Sequence, residues 1–508
     1  MADLEQKYST DQIDVASLSG GENADLEDAA YEKRVVRRID MHLIPWLALL
    51  YLLSFLDRTN IGNANIFGLS KNLHLKPREY SNCLAIFFVF YVIFETPSNM
   101  VMKAWRPSRW LPLIMLGWGI VITLTGIVHN FPGLFTARVF LGITESGLFP
   151  GVTFFLSQWY LRHEVALRIS IFFSAATIAG AFGGLLARLI NLMHGVGGLE
   201  GWRWIFILEG IATVIVAVAS FWMLHDYPAT AKFLDERERR FVVARLARDD
   251  SGLATRYDTK FISQAFLDWK VWAFSIMYIG TLMPLYSFSL FSPTIVRDLG
   301  YTAATAQLLS VPPYIIAAFA TIGAGYMSDR FQKRGIFVIA FSSIGILGFV
   351  LNIVTRNPHI RYAGVFLGAI GICAFNFFCL PRRRLPSHTQ TDPNVPLVVS
   401  WSANSFGGST KKAIGMAMVV SVGNCGGIFS SYVYRVVDSP KYYLGHGSVM
   451  GCIFLQLAIA TLLITVLNKE NNAKQRIVDA RGGAPWTAEE KKRHEDDGDK
   501  APFFFYTL

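Results

Sequence analysis

Apolar runs of about twenty residues recur along almost the whole chain, and the charged residues sit in the gaps between them. A bilayer core about 30 Å thick takes about 20 helical residues per crossing. A chain with this pattern is an α-helical membrane protein that crosses many times. Only 17% of the 508 residues are charged and mean hydropathy is +0.37, whereas a soluble domain carries about 25% charge. These values exclude a disordered chain and speak against a soluble enzyme.

The runs place spans at 42–64, 81–102, 110–128, 132–155, 169–193 and 204–225, then at 270–292, 306–327, 336–354, 361–380, 412–434 and 446–467. The expected organisation is a tail (1–40), six helices (41–225), a polar loop (226–269), six more helices (270–467) and a second tail (468–508). With the N-terminus inside, the near-membrane tail and the even-numbered loops hold 26 Lys and Arg against nine in the odd-numbered loops. The positive-inside rule then puts both termini in the cytosol. Topology thus accounts for the net charge of +10 and the pI of 9.3, and no basic patch of a soluble domain points to nucleic acid. In the central loop, Phe233, Leu234, Phe241 and Leu246 fall near helical spacing, as in an interfacial amphipathic helix tying the halves together.

Cys83, Cys373, Cys379, Cys425 and Cys452 show no CxxC spacing and read as small buried residues, not as metal ligands or disulfides. The first 40 residues carry no short apolar run ending in a cleavage site, so the first span is expected to act as an uncleaved anchor. No Asn-x-Ser/Thr sequon occurs.

Six ionisable residues fall within or at the rims of the spans: Asp57, Arg58, Glu95, Arg138, Glu145 and Glu209. Each costs about 2.5–3.5 kcal/mol at a bilayer centre even on a lenient scale, so each must face water or a partner. Arg188 lies near the end of its span, where snorkelling suffices. Arg138 and Glu145 are seven residues apart, which puts them on one helix face roughly 10 Å apart. Arg58, followed by Thr59, Asn60, Gly62 and Asn63, suits a carboxylate, because a guanidinium stays charged and offers a planar fork. A membrane carboxyl such as Glu145 can take and release a proton as its site opens to either side. The residues therefore suggest an anion site coupled to a proton site. A packing network in which they merely neutralise one another stays open, above all for Glu95 and Glu209.

These stretches resemble a known family. Gly325-Tyr-Met-Ser-Asp-Arg-Phe-Gln-Lys-Arg-Gly335 is similar to the cytosolic loop of the major facilitator superfamily, and Leu56-Asp-Arg-Thr-Asn-Ile-Gly-Asn-Ala64 to the first span of its anion:cation symporters. Phe94-Glu-Thr-Pro-Ser-Asn99, Arg138 to Gly151, Gly201 to Gly210 and Tyr443-Leu-Gly-His-Gly447 resemble the fungal allantoate-permease branch. Met283 to Pro293 looks nicotinate-permease-like. The resemblance implies an all-α membrane protein of the major facilitator fold, with 12 helices in two six-helix bundles rocking about a midplane cavity. It implies that Arg58 meets substrate, flanked by Asn60 and Asn63, with Asp57 and Glu145 at proton-coupling positions and Arg138 as the salt-bridge partner in span four. Span seven would add Tyr278, Tyr286 and Ser287, with the tyrosines able to stack on a ring, and span ten Asn376. Asp329 and Arg330 would belong to a cytosolic gate.

One stretch departs from the pattern. Pro381 to Pro396 interposes four Pro and three consecutive Arg between span ten and a Trp401-Ser-Ala-Asn404 motif that the family joins to it directly. Such a segment cannot continue a membrane helix. It reads as a translated, unspliced intron or as a genuine cytosolic loop. The resulting expectation is proton-coupled uptake of a small carboxylate, nicotinate-like first and allantoate- or pantothenate-like second, by a monomer in the plasma membrane. The proton gradient would drive it, with no cofactor and no metal. A transporter-derived nutrient sensor and a facilitator of neutral solutes are the alternatives; no Ser/His/Asp or metal-ligand constellation supports an enzyme.

Overall fold

The computed structural model describes residues 22–248, 259–298, 300–302, 305–317, 334–355, 357–373, 394–407, 409–439, 441–482, 486 and 488–506. Helices and short 3-10 turns make up the regular structure, and no strand occurs among the described residues. The chain divides into two compact units, residues 1–45 and 46–508. The described part of the first is helical, with the His42 ring Nδ1 2.8 Å from the Arg38 carbonyl oxygen.

The helices are α1 (Glu22–Ile66), α2 (Pro77–Ala104), α3 (Pro107–Thr125), α4 (Phe131–Glu145), α5 (Leu148–Ser157), α6 (Arg162–Asn191) and α7 (Gly201–Met223). After α8 (Glu236–Arg248) and α9 (Thr259–Leu267) come α10 (Trp269–Arg297), α11 (305–317), α12 (Arg334–Val354) and α13 (Pro358–Cys373). Then follow α14 (Asn394–Ser405), α15 (Ser409–Val433), α16 (Tyr443–Ala480) and α17 (Ala488–Arg493). Nine helices among the described residues are long and apolar enough to cross a membrane.

Their polarity is that of helices solvated by lipid. On α7, Ile211, Ile215, Val218 and Trp222 are exposed, while Glu209, Thr213 and Ser220 are buried. In water that order would be reversed. Within the second unit, α3 packs on α7, α2 on α4, α10 on α15 and α16, and α12 on α13 and α16; the two sets meet along α2 and α15. Small residues allow close approach, which membrane helices use in place of a hydrophobic drive. A Cβ added at Gly348 would lie 2.4 Å from the Gly368 nitrogen.

One span differs from the sequence expectation in its regularity. Span four is broken after Glu145, because Pro150 has no N–H to offer the Ser146 carbonyl. Of the expected span ten, 361–380, the described residues 361–373 lie in α13 and the remainder lies outside the described residues. The 12-residue α14 packs on α10, α12 and α13 and adds helical length there. Residues 381–393 of the interposed segment lie outside the described residues, and Pro396 falls in the first turn of α14. The central loop forms α8, which is tied to the start of α6 by Arg245 and Glu164 at 2.5 Å, while Phe233 stacks on Trp159.

The segment after α17 folds back on the ends of α10, α15 and α16. Asp499 is fully buried, 3.0 Å from the Lys270 Nζ and 2.5 Å from the Lys411 Nζ. The Lys474 Nζ donates to the carbonyl oxygens of Asp499 and Phe504, and Tyr506 accepts from Lys270 at 2.6 Å. Burial alone would raise the Asp499 carboxyl, but Lys411 and Lys270 outweigh it and hold the group below its ordinary 3.8. Burial would likewise lower Lys411, but Asp499 and Asp268 hold it above 10.5. A depressed carboxylate stabilises above its unfolded value and loses that contribution as pH falls through the folded one; a raised lysine loses its contribution at high pH. The Asp499–Lys411 pair of this clasp is thus complete across the neutral range and weakens in acid as pH falls below 3.8. Hydrogen exchange of residues 495–506, corrected for intrinsic rates, is expected to be constant near neutrality and to rise in acid. Asp499→Asn, which removes the carboxylate shared by two buried lysines and leaves Lys411 with Asp268 and Lys270 with Glu470, costs about 1.5–3 kcal/mol and raises exchange there roughly ten- to a hundredfold. Unchanged exchange in that variant would mean the clasp does not hold the segment.

Candidate functional site

Arg58 projects from α1 into a narrow cleft that Tyr91 of α2, Tyr278 and Tyr286 of α10 and Asn424 of α15 also line. A buried guanidinium keeps its charge, and an anion is its strongest compensation. Here the anion is Glu145, placed at the last turn of α4 by the break that follows it. The Arg58 Nη2 and Nε donate to the Glu145 Oε1 at 2.6 and 3.1 Å, and the Ser54 hydroxyl donates to the same oxygen at 2.6 Å. The Nη1 donates to the Tyr286 hydroxyl at 3.2 Å, and that hydroxyl donates to the Asn424 Oδ1 at 2.8 Å. The rings of Tyr91, Phe87 and Tyr286 surround the guanidinium at 5.1, 5.4 and 5.7 Å, a cation–π cage. These bonds engage three of the five N–H donors an arginine carries, and the Glu145 Oε2 has no partner among the described residues. The cleft therefore holds an internal ion pair with donors to spare for a second anion.

The other candidates divide. Arg58, Tyr278 and Tyr286 line the cleft; Asp57, Asn60, Asn63 and Ser287 do not. One helical residue is about 100° of rotation, and that turns Asp57 from Arg58 toward α3 and α7, where it accepts from Trp118 Nε1 at 3.1 Å and Thr213 Oγ1 at 2.9 Å. Asn60 follows it, donating to the Glu209 Oε2 at 2.7 Å. Asp57 and Glu145 thus sit in separate polar clusters, and among the described residues no ion pair joins Asp57 to Arg58. Arg138 forms no salt bridge among the described residues: its Nε donates to the Cys83 carbonyl oxygen at 3.2 Å, with the guanidinium over the Phe87 ring. The Ser287 hydroxyl turns to the Met283 sulfur at 3.8 Å. Asn376, Asp329 and Arg330 lie outside the described residues. Asn424 escaped sequence reasoning, although a lone amide amid Gly423, Gly426 and Gly427 in an apolar span was a signal; Tyr51 and Tyr91 offered none.

Toward the C-terminal end of α1 the two sets of helices close on each other. The Gln307 Nε2 donates to the Asn63 Oδ1 at 3.2 Å, and the Tyr432 hydroxyl to the Asn82 Oδ1 at 2.9 Å. A Cβ added at Gly62 would lie 2.6 Å from the Leu290 carbonyl oxygen. No cluster of three or more His, Cys, Asp or Glu that could hold a metal ion occurs among the described residues.

The sequence profile of the Major Facilitator Superfamily matches residues 47–389. An uncharacterized transporter, C1002.16c of Schizosaccharomyces pombe, is 33% identical over 86% of this chain and 84% of its own length. MFS-type transporter cnsO of Penicillium expansum is 31% identical over 100% of this chain and 98% of its own. Major facilitator-type transporter hxnP of Emericella nidulans is 30% identical over 96% of each. Among solved structures, an inward-facing, unoccupied bacterial homolog of the human lysosomal transporter Spinster matches with a TM-score of 0.55 at 16% identity, covering 83% of this chain and 94% of that one. That likeness is one of fold.

Gly62→Val puts side-chain atoms where the Leu290 carbonyl now lies. Overpacking of this kind costs about 1–3 kcal/mol. Disulfide formation between Asn63→Cys and Gln307→Cys is expected to slow roughly tenfold or more in the Gly62→Val background. An unchanged rate would mean that α1 and α10 do not need this contact to close.

Proposed function

The chain belongs to the Major Facilitator Superfamily and is a membrane transporter, not an enzyme, and from that premise we propose that it couples uptake of a small organic carboxylate to protons. The observation that carries the reading is the Arg58–Glu145 pair at 2.6 Å in the wall of the cleft. A substrate carboxylate and the Glu145 carboxylate are the same kind of ligand for one guanidinium. Both cannot be anionic at Arg58 without a large like-charge penalty in a water-poor site. A proton on Glu145 removes its claim on the cation and leaves the guanidinium fork to the substrate. Release runs in reverse: when Glu145 loses its proton it retakes Arg58 and expels the anion. Substrate and proton therefore load together, which is symport.

The aromatic lining favours a planar acid. Tyr91, Tyr278, Tyr286, Phe149 and Phe173 surround the cleft, so a nicotinate-like ring is the first choice and an allantoate- or pantothenate-like acid the second. This agrees with the resemblance to the anion:cation symporters and their allantoate-permease branch. The excess of Lys and Arg in the tails and even-numbered loops supports cytosolic termini, and uptake supports the plasma membrane. In that orientation the Asn63–Gln307 closure faces the exterior. A facilitator of neutral solutes would have no use for an ion pair in its cleft, and a nutrient sensor would bind without flux.

Labelled nicotinate and a panel of organic acids in proteoliposomes test the proposal. Arg58→Lys keeps the charge but loses the fork, and apparent affinity is expected to fall roughly tenfold or more, at about 1.5–3 kcal/mol for hydrogen bonds to a charged group. Glu145→Gln is expected to retain exchange of substrate between the two sides while losing accumulation driven by a pH gradient. Full gradient-driven accumulation in Glu145→Gln, or unchanged affinity in Arg58→Lys, would contradict the assignment.

A further inference from the structure

Glu95 is a buried carboxylate of α2 that the cleft does not use, yet it reaches across to the other half. Its Oε2 accepts from the Ser421 hydroxyl at 3.1 Å and from the Asn424 Nδ2 at 3.5 Å, both on α15. Its Oε1 is buried with no partner among the described residues. The charged and titratable groups that face it are Arg58 on α1, Tyr91 on its own helix, Tyr278 and Tyr286 on α10, and Cys425 on α15. No described cation lies within ion-pair distance of it. Two residues on, Pro97 interrupts the backbone hydrogen bonding of α2, so the helix is jointed beside the contact.

We propose that Glu95 is a proton-operated latch between the two halves: ionised it ties α2 to α15, and protonated it lets them part. A carboxylate accepting from neutral donors makes charge-assisted bonds roughly twice as strong as neutral ones. A proton arriving on the unpartnered Oε1 removes that charge and weakens both bonds on Oε2. The latch also reports to the ion pair. Asn424 gives its Nδ2 to Glu95 and its Oδ1 to the Tyr286 hydroxyl, which accepts from Arg58. One amide orientation serves both ends, so freeing Glu95 frees the tyrosine that steadies Arg58. The role deepens the proton-coupled reading and rests on it for its use in transport, but the latch itself needs no substrate.

The test accordingly runs first without substrate. Spin labels go on Met100→Cys of α2 and Ala417→Cys of α15, in the full chain with its native cysteines replaced by alanine, and the inter-label distance is followed against pH. With Glu95 intact the distance distribution is expected to lengthen as pH falls. Glu95→Gln keeps a side chain able to bond Ser421, so a merely structural role would leave the pH response untouched; the latch instead predicts a pH-independent, long-distance distribution. Ser421→Ala removes one donor to the charged form and is expected to move the transition to higher pH while preserving it, and this variant decides if Glu95→Gln does not fold. A pH response that survives in Glu95→Gln, or a transition that Ser421→Ala leaves in place, overturns the latch. Labelled nicotinate is then added in proteoliposomes. Distances that respond through Glu95 without any nicotinate flux would retain the latch and refute only the nicotinate carrier reading.

Discussion

An arginine cannot shed its proton, so a guanidinium buried among helices must keep anions, carbonyl oxygens or aromatic faces around it in every state the protein visits. Arg58 sets this condition for the whole interior. It is met by Glu145 in the last turn of α4, just before the break at Ser146 and Gly147 that precedes Pro150. It explains why three aromatic faces surround the cation and why a tyrosine hydroxyl from the opposite half supplies a further oxygen. On the proposed reading, a resident counter-ion that a proton can neutralise makes this an exchangeable site, open to a substrate carboxylate.

Around that pair the molecule is organised against lipid. Apolar side chains such as Ile215 and Trp222 point outward and polar ones such as Glu209 and Thr213 point inward. The interior polarity falls into distinct groups. Asp57, Trp118 and Thr213, with Asn60 and Glu209 nearby on the same helices, join α1 to α3 and α7. Glu145, Arg58, Tyr286, Asn424 and Glu95 run instead across both halves. The first group holds one half together; the second crosses the seam where the two sets of helices meet.

The fold was largely legible because the bilayer imposes one length and one polarity on each span, and hydropathy reports both. Where a span departed from a single regular helix, a proline was responsible: Pro150 interrupts the helical hydrogen bonding of span four. Individual intramembrane charges were legible for the same reason, since each is expensive and stands out. Their partners were not. Sequence adjacency suggested Asp57 with Arg58, but neighbours on a helix face about 100° apart, and the actual partners lie 61, 87 and 156 residues away in Trp118, Glu145 and Thr213. Arg138 shares the buried face of α4 with Glu145, as the seven-residue spacing requires, yet its nitrogen turns to a backbone carbonyl of α2. Spacing gives the face; only the packed helices say what stands opposite.

The central claim is that substrate and Glu145 compete for Arg58, and linkage makes that claim measurable as protons. Nicotinate is added to the purified protein in weak buffer at neutral pH, with a pH dye recording proton exchange and calorimetry recording binding. The account predicts that binding draws in about one proton for each nicotinate bound, because Glu145 must become neutral as the substrate takes its place. Binding with no proton uptake would show that the cation holds both anions at once or that the substrate sits elsewhere, and either would contradict the account.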